Sequence, residues 1–137
     1  MVRWVTMSLL LAILVVVRGV TGAGLTGQEA GAPVSSAYDW KICFDLNRLD
    51  DRGLQGPPGG LRALHYEYCL PDRPEALAAV SAIDPTLQMQ RGSPGRIGCG
   101  SAELLCLGHT HQPEYATVLR RLAELPVIRQ ICEAHFE

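Results

Sequence analysis

The sequence predicts an α+β domain on three observations. Some stretches repeat apolar residues at every second position and others at every third and fourth, and breaks rich in proline, glycine and aspartate separate them. From Tyr38 to Leu46, Tyr38, Trp40, Ile42, Phe44 and Leu46 alternate with Asp39, Lys41, Cys43 and Asp45, the pattern of a half-buried strand. Asn47 to Gly60 carries too much Asp, Gly and Pro for regular structure. From Leu61 to Leu70 the alternation resumes, with Leu64, Tyr66, Tyr68 and Leu70 on one side and His65, Glu67 and Cys69 on the other, which is expected to be the solvated face.

Asp72 then offers an N-cap, Pro74 a first turn and Glu75 the far member of a capping box. Ala76, Ala79, Val80 and Ile83 follow at helical spacing, and Asp84-Pro85 ends the helix, because proline bars the residue before it from helical geometry. Thr86 to Arg91 reads as a strand, Gly92-Ser93-Pro94-Gly95 as a turn, and Arg96 to Gly108 as containing a further strand centred on Leu104 to Leu107. Pro113 opens a second helix with Tyr115, Val118, Leu119 and Leu122 as its buried face, Pro126 closes it, and Val127 to Phe136 is the last strand. From Leu61 onward this is the βαββαβ order of a ferredoxin-like antiparallel sheet with two helices on one face. Tyr38 to Leu46 is expected as an additional N-terminal strand.

Ahead of that domain, residues 1–23 read as a cleaved signal peptide: Arg3, an apolar run from Trp4 to Val17, then Thr21-Gly22-Ala23-Gly24. The run is short of the roughly 20 residues a membrane span needs, so no stable span is expected after cleavage. Residues 24–37 are small and polar and read as a flexible leader, leaving 38–137 as the single domain. The expected location is periplasmic or extracellular. Of 12 basic residues, Arg3 and Arg18 leave with the signal, while all 14 acidic residues stay. A net acidic domain argues against nucleic-acid binding.

Export makes disulfides the default state of cysteine. The candidates are Cys43, Cys69, Cys99, Cys106 and Cys132. Two bonds can form among them in any of about fifteen ways, leaving one sulfur over.

Several phrases resemble a group of uncharacterised exported bacterial proteins of unknown function. They are Gly56-Pro57-Pro58-Gly59-Gly60-Leu61, Tyr66-Glu67-Tyr68-Cys69-Leu70-Pro71, Ile83-Asp84-Pro85-Thr86, Ser93-Pro94-Gly95-Arg96-Ile97-Gly98-Cys99 and Thr110-His111-Gln112-Pro113. The resemblance spans residues 40–137 and implies one domain; it brings no activity, ligand or catalytic residue with it.

The sharpest chemical motif is Gly108-His109-Thr110-His111, which resembles the last metal-binding motif of calcineurin-like metallophosphoesterases. That resemblance implies a metal-activated water. The Asp-x-His, Gly-Asp and Gly-Asn-His motifs of such enzymes are absent, so a metal-dependent hydrolase ranks third. A milder reading keeps the metal. Cys99, Cys106, His109 and His111 offer sulfur and imidazole to zinc or copper. Against it stands a Cys99–Cys106 disulfide closing a hairpin, with the histidines bonding backbone at a strand end. Asp45, Asp50 and Asp51 lack calcium-loop spacing and read as turn acids. The Ser93–Cys99 turn offers backbone N–H groups to an anion, though such a turn more simply builds a hairpin. No nucleophile–base set and no cofactor motif is present, and His135 reads as solvent-facing. The leading expectation is therefore a non-enzymatic exported module that binds another protein or a small ligand, displaying His65, Glu67 and the 47–60 loop. The alternative is an extracytoplasmic metal-binding protein using His109 and His111.

Overall fold

The computed structural model describes residues 35–136; the signal peptide expected over 1–23 and most of the leader expected over 24–37 lie outside the described residues. The described chain is α+β. Its elements are β1 (Leu54–Gln55), β2 (Arg62–Ala63), β3 (His65–Pro71), α1 (Pro74–Ser81), β4 (Gln88–Arg91), β5 (Glu103–His109), α2 (Tyr115–Glu124) and β6 (Cys132–Glu133), with short 3-10 helices at Asp39–Lys41 and Leu46–Arg48. β1 and β2 form a small antiparallel ladder of their own. The main sheet has the order β4-β5-β3-β6, and every neighbouring pair is antiparallel.

β3 and β5 are the centre of the sheet, paired over their full lengths from His65↔His109 to Pro71↔Glu103. Period-two alternation sends Tyr66, Tyr68 and Leu70 of β3, with Leu104 and Cys106 of β5, to one face. There they pack in one cluster with Ala76 and Val80 of α1 and Val118, Leu119, Leu122 and Ala123 of α2. α1 starts on Pro74 as expected, but no side chain caps it. Asp72 instead pairs with Arg91 of the edge strand β4.

The second face of the sheet departs from expectation. It is solvated only in part: Leu105, Leu107 and Ala134 are buried there, with Ile97 and Cys99 packed on them, while His65 stays exposed. Glu67 keeps only 5% of its surface exposed. The cause is the Ser93–Cys99 loop, which a Cys69–Cys99 disulfide fastens across this face.

The expected strand at Tyr38–Leu46 is also corrected. Its backbone makes two 3-10 turns and meets the sheet at a single parallel bridge, Ile42↔Ile131. Local side-chain bonds compete with extension here. Asp39 accepts the Ser36 N–H (2.9 Å) and Asp45 accepts the Asn47 N–H (2.9 Å). The burial pattern inverts at Trp40 and Lys41, while Ile42, Phe44 and Leu46 still pack on the core. Trp40 is 74% exposed, whereas Lys41 is buried. The Lys41 Nζ donates to the carbonyls of Leu125 (3.2 Å) and Ile128 (2.8 Å). A cation just past the C-terminus of α2 is favoured by the helix dipole, so Lys41 ties the N-terminal segment to that helix.

Candidate functional site

The segment Gly108-His109-Thr110-His111-Gln112 leaves β5 and is built mostly into the fold. Gly108 faces the Tyr66 ring, and a Cβ at this position would stand 2.5 Å from three of its atoms. Gly108→Ala is therefore expected to lower stability by about 2–3 kcal/mol through overpacking, read as a lower urea midpoint with an unchanged slope. The His109 N–H donates to Thr86 Oγ1 (3.1 Å). Thr110, fully buried, accepts the Leu64 N–H (3.0 Å) and donates to the Gly53 carbonyl (2.5 Å). Gln112 donates to the Tyr66 hydroxyl (3.1 Å) and to the His109 carbonyl (2.9 Å). Beneath it, buried Asp84 accepts the Tyr66 hydroxyl (2.6 Å), the Thr86 N–H (2.9 Å) and the Thr86 hydroxyl (2.7 Å). Burial first, and then Asp84, hold the Tyr66 hydroxyl well above its ordinary pKa.

The four residues Cys99, Cys106, His109 and His111 are not brought together as one ligand set. Cys99 is bonded to Cys69, not to Cys106. Cys106 points to the opposite face of the sheet, into the helix-covered core. The other disulfide joins Cys43 to Cys132, leaving Cys106 as the free thiol among the described residues. Burial, and then Asp84, push that thiol up to about 12. The native protein is thus expected to resist iodoacetamide at pH 8, and to take one equivalent once unfolded without reductant; mass spectrometry reads both. Among the described residues, the cluster of three side chains close enough to share a metal is Cys69, Cys99 and Glu103. Its two sulfurs are already joined to each other, and Glu103 pairs with Arg129 (3.0 Å).

The histidines part company. His111 is exposed, with Nδ1 3.3 Å from the Arg52 carbonyl oxygen. His109 is half-buried and stands beside His65, its partner in the β3–β5 register. Their ring centroids are 5.9 Å apart, and the Phe136 ring is 5.1 Å from that of His65. Burial first, then His65, lower the pKa of His109. Nearness in the chain groups His109 with His111; the pairing of His109 with His65 depends on strand register, which the sequence does not show. His135 is exposed, as expected.

The Ser93–Cys99 turn spends its N–H groups internally. Ile97 donates to Glu67 Oε1 (2.7 Å), while Gly98 and Cys99 donate to the Pro94 carbonyl (3.0 and 2.7 Å). A carboxylate already fills the place an anion would take. Asp50 likewise serves a turn, accepting the Leu54 and Arg52 N–H groups (2.9 Å each). These bonds, Leu54 foremost, hold its carboxyl below the usual range.

A groove of about 480 Å³ lies between the 35–49 segment and α2. Ile42, Phe44, Leu46, Leu49 and Tyr115 give it an apolar lining, and Asp39 and Arg120 add opposite charges. Arg120 Nε is 3.6 Å from Asp39 Oδ1, and both atoms are buried without a hydrogen-bond partner. Burial, then Asp50 and Asp51, raise the pKa of Tyr115 at the same wall.

The chain matches no protein-family model, no curated protein and no solved structure. Function therefore rests on these sites alone.

Proposed function

We propose that this protein is an exported, disulfide-bonded binding module whose ligand seats in the groove between the 35–49 segment and α2. The single observation behind this is the Asp39–Arg120 ion pair: Oδ1 and Nε face each other at 3.6 Å, buried and without a hydrogen-bond partner, on a wall that mixes Ile42, Phe44, Leu46 and Leu49 with Ser35, Asp45 and Asn47. Buried polar atoms are normally bonded, so the pair suits a ligand that supplies an N–H to Asp39 and an oxygen to Arg120. An amide does both. The ligand class is accordingly a segment of a partner protein or a small amide-bearing molecule with an apolar body. A concave apolar site with few oriented polar groups is the usual form of such a pocket.

Export is supported by the N-terminal pattern, by the two disulfides, and by the resemblance to exported bacterial proteins. Among the described residues no helix is long and apolar enough to cross a membrane. A ferredoxin-like assignment is supported by the order β4-β5-β3-β6 with α1 between β3 and β4 and α2 between β5 and β6. In this reading the recognition surface is a groove beside the sheet, not the sheet face, which its own loop covers in part.

The test is ligand-observed NMR with short blocked peptides and small amides, on the wild type, Arg120→Ala and Ala116→Trp. Ala116 lines the groove, and a tryptophan there would fill it. Binding by the wild type that both variants lose supports the assignment. Absence of any binder, or binding that survives both substitutions, would rule it out.

A further inference from the structure

We infer that His65 and His109 form a two-imidazole site for a borderline divalent metal ion, binding Cu2+ more tightly than Zn2+. The inference is independent of the groove, with which this cavity shares no lining residue.

The geometry begins with the sheet. His65 and His109 are direct partners in the antiparallel β3–β5 ladder. Their backbones turn away from each other. The His65 carbonyl accepts the Ala134 N–H (2.8 Å), towards the β6 side, and the His109 N–H donates to Thr86, on the β4 side. Theirs is therefore a non-hydrogen-bonded pair, the kind whose side chains come closest. Two imidazoles that share an ion at about 2.0–2.1 Å per nitrogen bring their ring centroids to about 5–6 Å. The observed separation is 5.9 Å.

Two more observations point to a ligand. His109 Nδ1 is buried and has no hydrogen-bond partner. The two rings also line one cavity of about 130 Å³, together with Thr86, Gln88, Gln90 and Phe136. Gln88 and Gln90 lie on the edge strand β4 and carry amide oxygens that can complete a coordination sphere with water. Phe136, 65% exposed, meets the His65 ring edge to face. Imidazole is a ligand common to copper, zinc and nickel, and at a site with no imposed geometry affinity follows the order in which Cu2+ exceeds Zn2+. His111 lies two positions on, but it turns to the Arg52 carbonyl and is not part of the pair.

The experiment is calorimetric titration of CuCl2 and ZnCl2 into the full chain with both disulfides intact, in a buffer that does not bind metal. Electron paramagnetic resonance of the copper form counts coordinating nitrogens. Loss of an outer-shell partner alone weakens metal sites by about 10–100-fold; removal of one of two ligands is expected to cost about tenfold or more. His65→Ala and His109→Gln should each show that loss. His111→Gln and His135→Gln should stay within about twofold of the wild type. His65 is exposed, so its replacement leaves the core alone and keeps the test valid if His109→Gln destabilises the fold. One equivalent of copper with two nitrogen ligands, lost on His65→Ala, supports the site. No binding, or binding lost on His111→Gln and kept on His65→Ala, would overturn it.

Discussion

Reduction of both disulfides is expected to unfold the domain at 37 °C. The Cys43–Cys132 bond joins residues 89 apart in sequence and Cys69–Cys99 joins residues 30 apart. On the loop-entropy account the two are worth up to about 4.6 and 3.6 kcal/mol respectively. A domain of this size has about 5–15 kcal/mol in total. The first bond anchors the 3-10 segment to the last strand, where the backbone contributes one isolated bridge, made by the Ile131 N–H to the Lys41 carbonyl and the Cys43 N–H to the Ile131 carbonyl. The second holds the Ser93–Cys99 loop over the sheet face opposite the helices. Circular dichroism melts with and without reductant measure the sum, and paired serine variants separate the terms. Cys69→Ser with Cys99→Ser should also expose Glu67 and Leu105, read as dye binding below the melting transition. A reduced protein that melts within about 5 °C of the oxidised one would mean that the core alone holds the fold, contrary to this ledger of loop entropies.

What could be read from the sequence depended on which force placed each residue. Where burial on the sheet dominated, periodicity was sufficient. Tyr66, Tyr68 and Leu70 face the helices as their alternation predicts, and Val118, Leu119 and Leu122 form the inner side of α2. Where a local bond outcompeted burial, periodicity misled. Tyr38 to Leu46 alternates as well as β3 does, yet Asp39 and Asp45 bond nearby N–H groups and turn the chain into 3-10 helices. Lys41 is then carried inward and Trp40 outward. Where a covalent bond decided, the sequence was silent among some fifteen pairings. The choice of Cys69 for Cys99 buries Glu67, which alternation alone assigns to solvent.

The same distinction explains the candidate sites. The Gly-His-Thr-His phrase looked chemical because its residue types are those of metal centres. In the structure Gly108 makes room for a tyrosine ring and Thr110 satisfies the backbone of Leu64 and Gly53. His109 and His65 are each legible as candidates; their pairing is not, because it exists only through the register of β3 on β5. The groove at Asp39 and Arg120 was equally hidden, since it depends on the 3-10 turns that alternation failed to reveal.

Three phrases that stand out in the sequence, around Tyr66, Ile83 and Gln112, meet at Asp84. It belongs to Ile83-Asp84-Pro85-Thr86, bonds Tyr66 of Tyr66-Glu67-Tyr68-Cys69, and through Thr86 and Tyr66 reaches His109 and Gln112. Asp84→Ala is expected to lower stability by about 3–5 kcal/mol, because it leaves the Tyr66 hydroxyl, the Thr86 N–H and the Thr86 hydroxyl without their acceptor in a site 1% exposed. Asp84→Asn should cost less, about 1–2 kcal/mol, because its remaining carbonyl oxygen can still serve Thr86. The Tyr66 proton alone then loses its partner, since Gln112 already donates to that oxygen. Tyr66→Phe takes the donor from Asp84 Oδ2 and the acceptor from Gln112, which keeps its bond to the His109 carbonyl, and should fall near the Asn variant. In combination, Asp84→Asn and Tyr66→Phe should cost less than the sum of the two, as residues in one network do. Urea denaturation of the four proteins measures this cycle. Additive losses would mean that Asp84 and Tyr66 act separately, and that the 2.6 Å bond between them contributes little to holding the end of α1 against the strand.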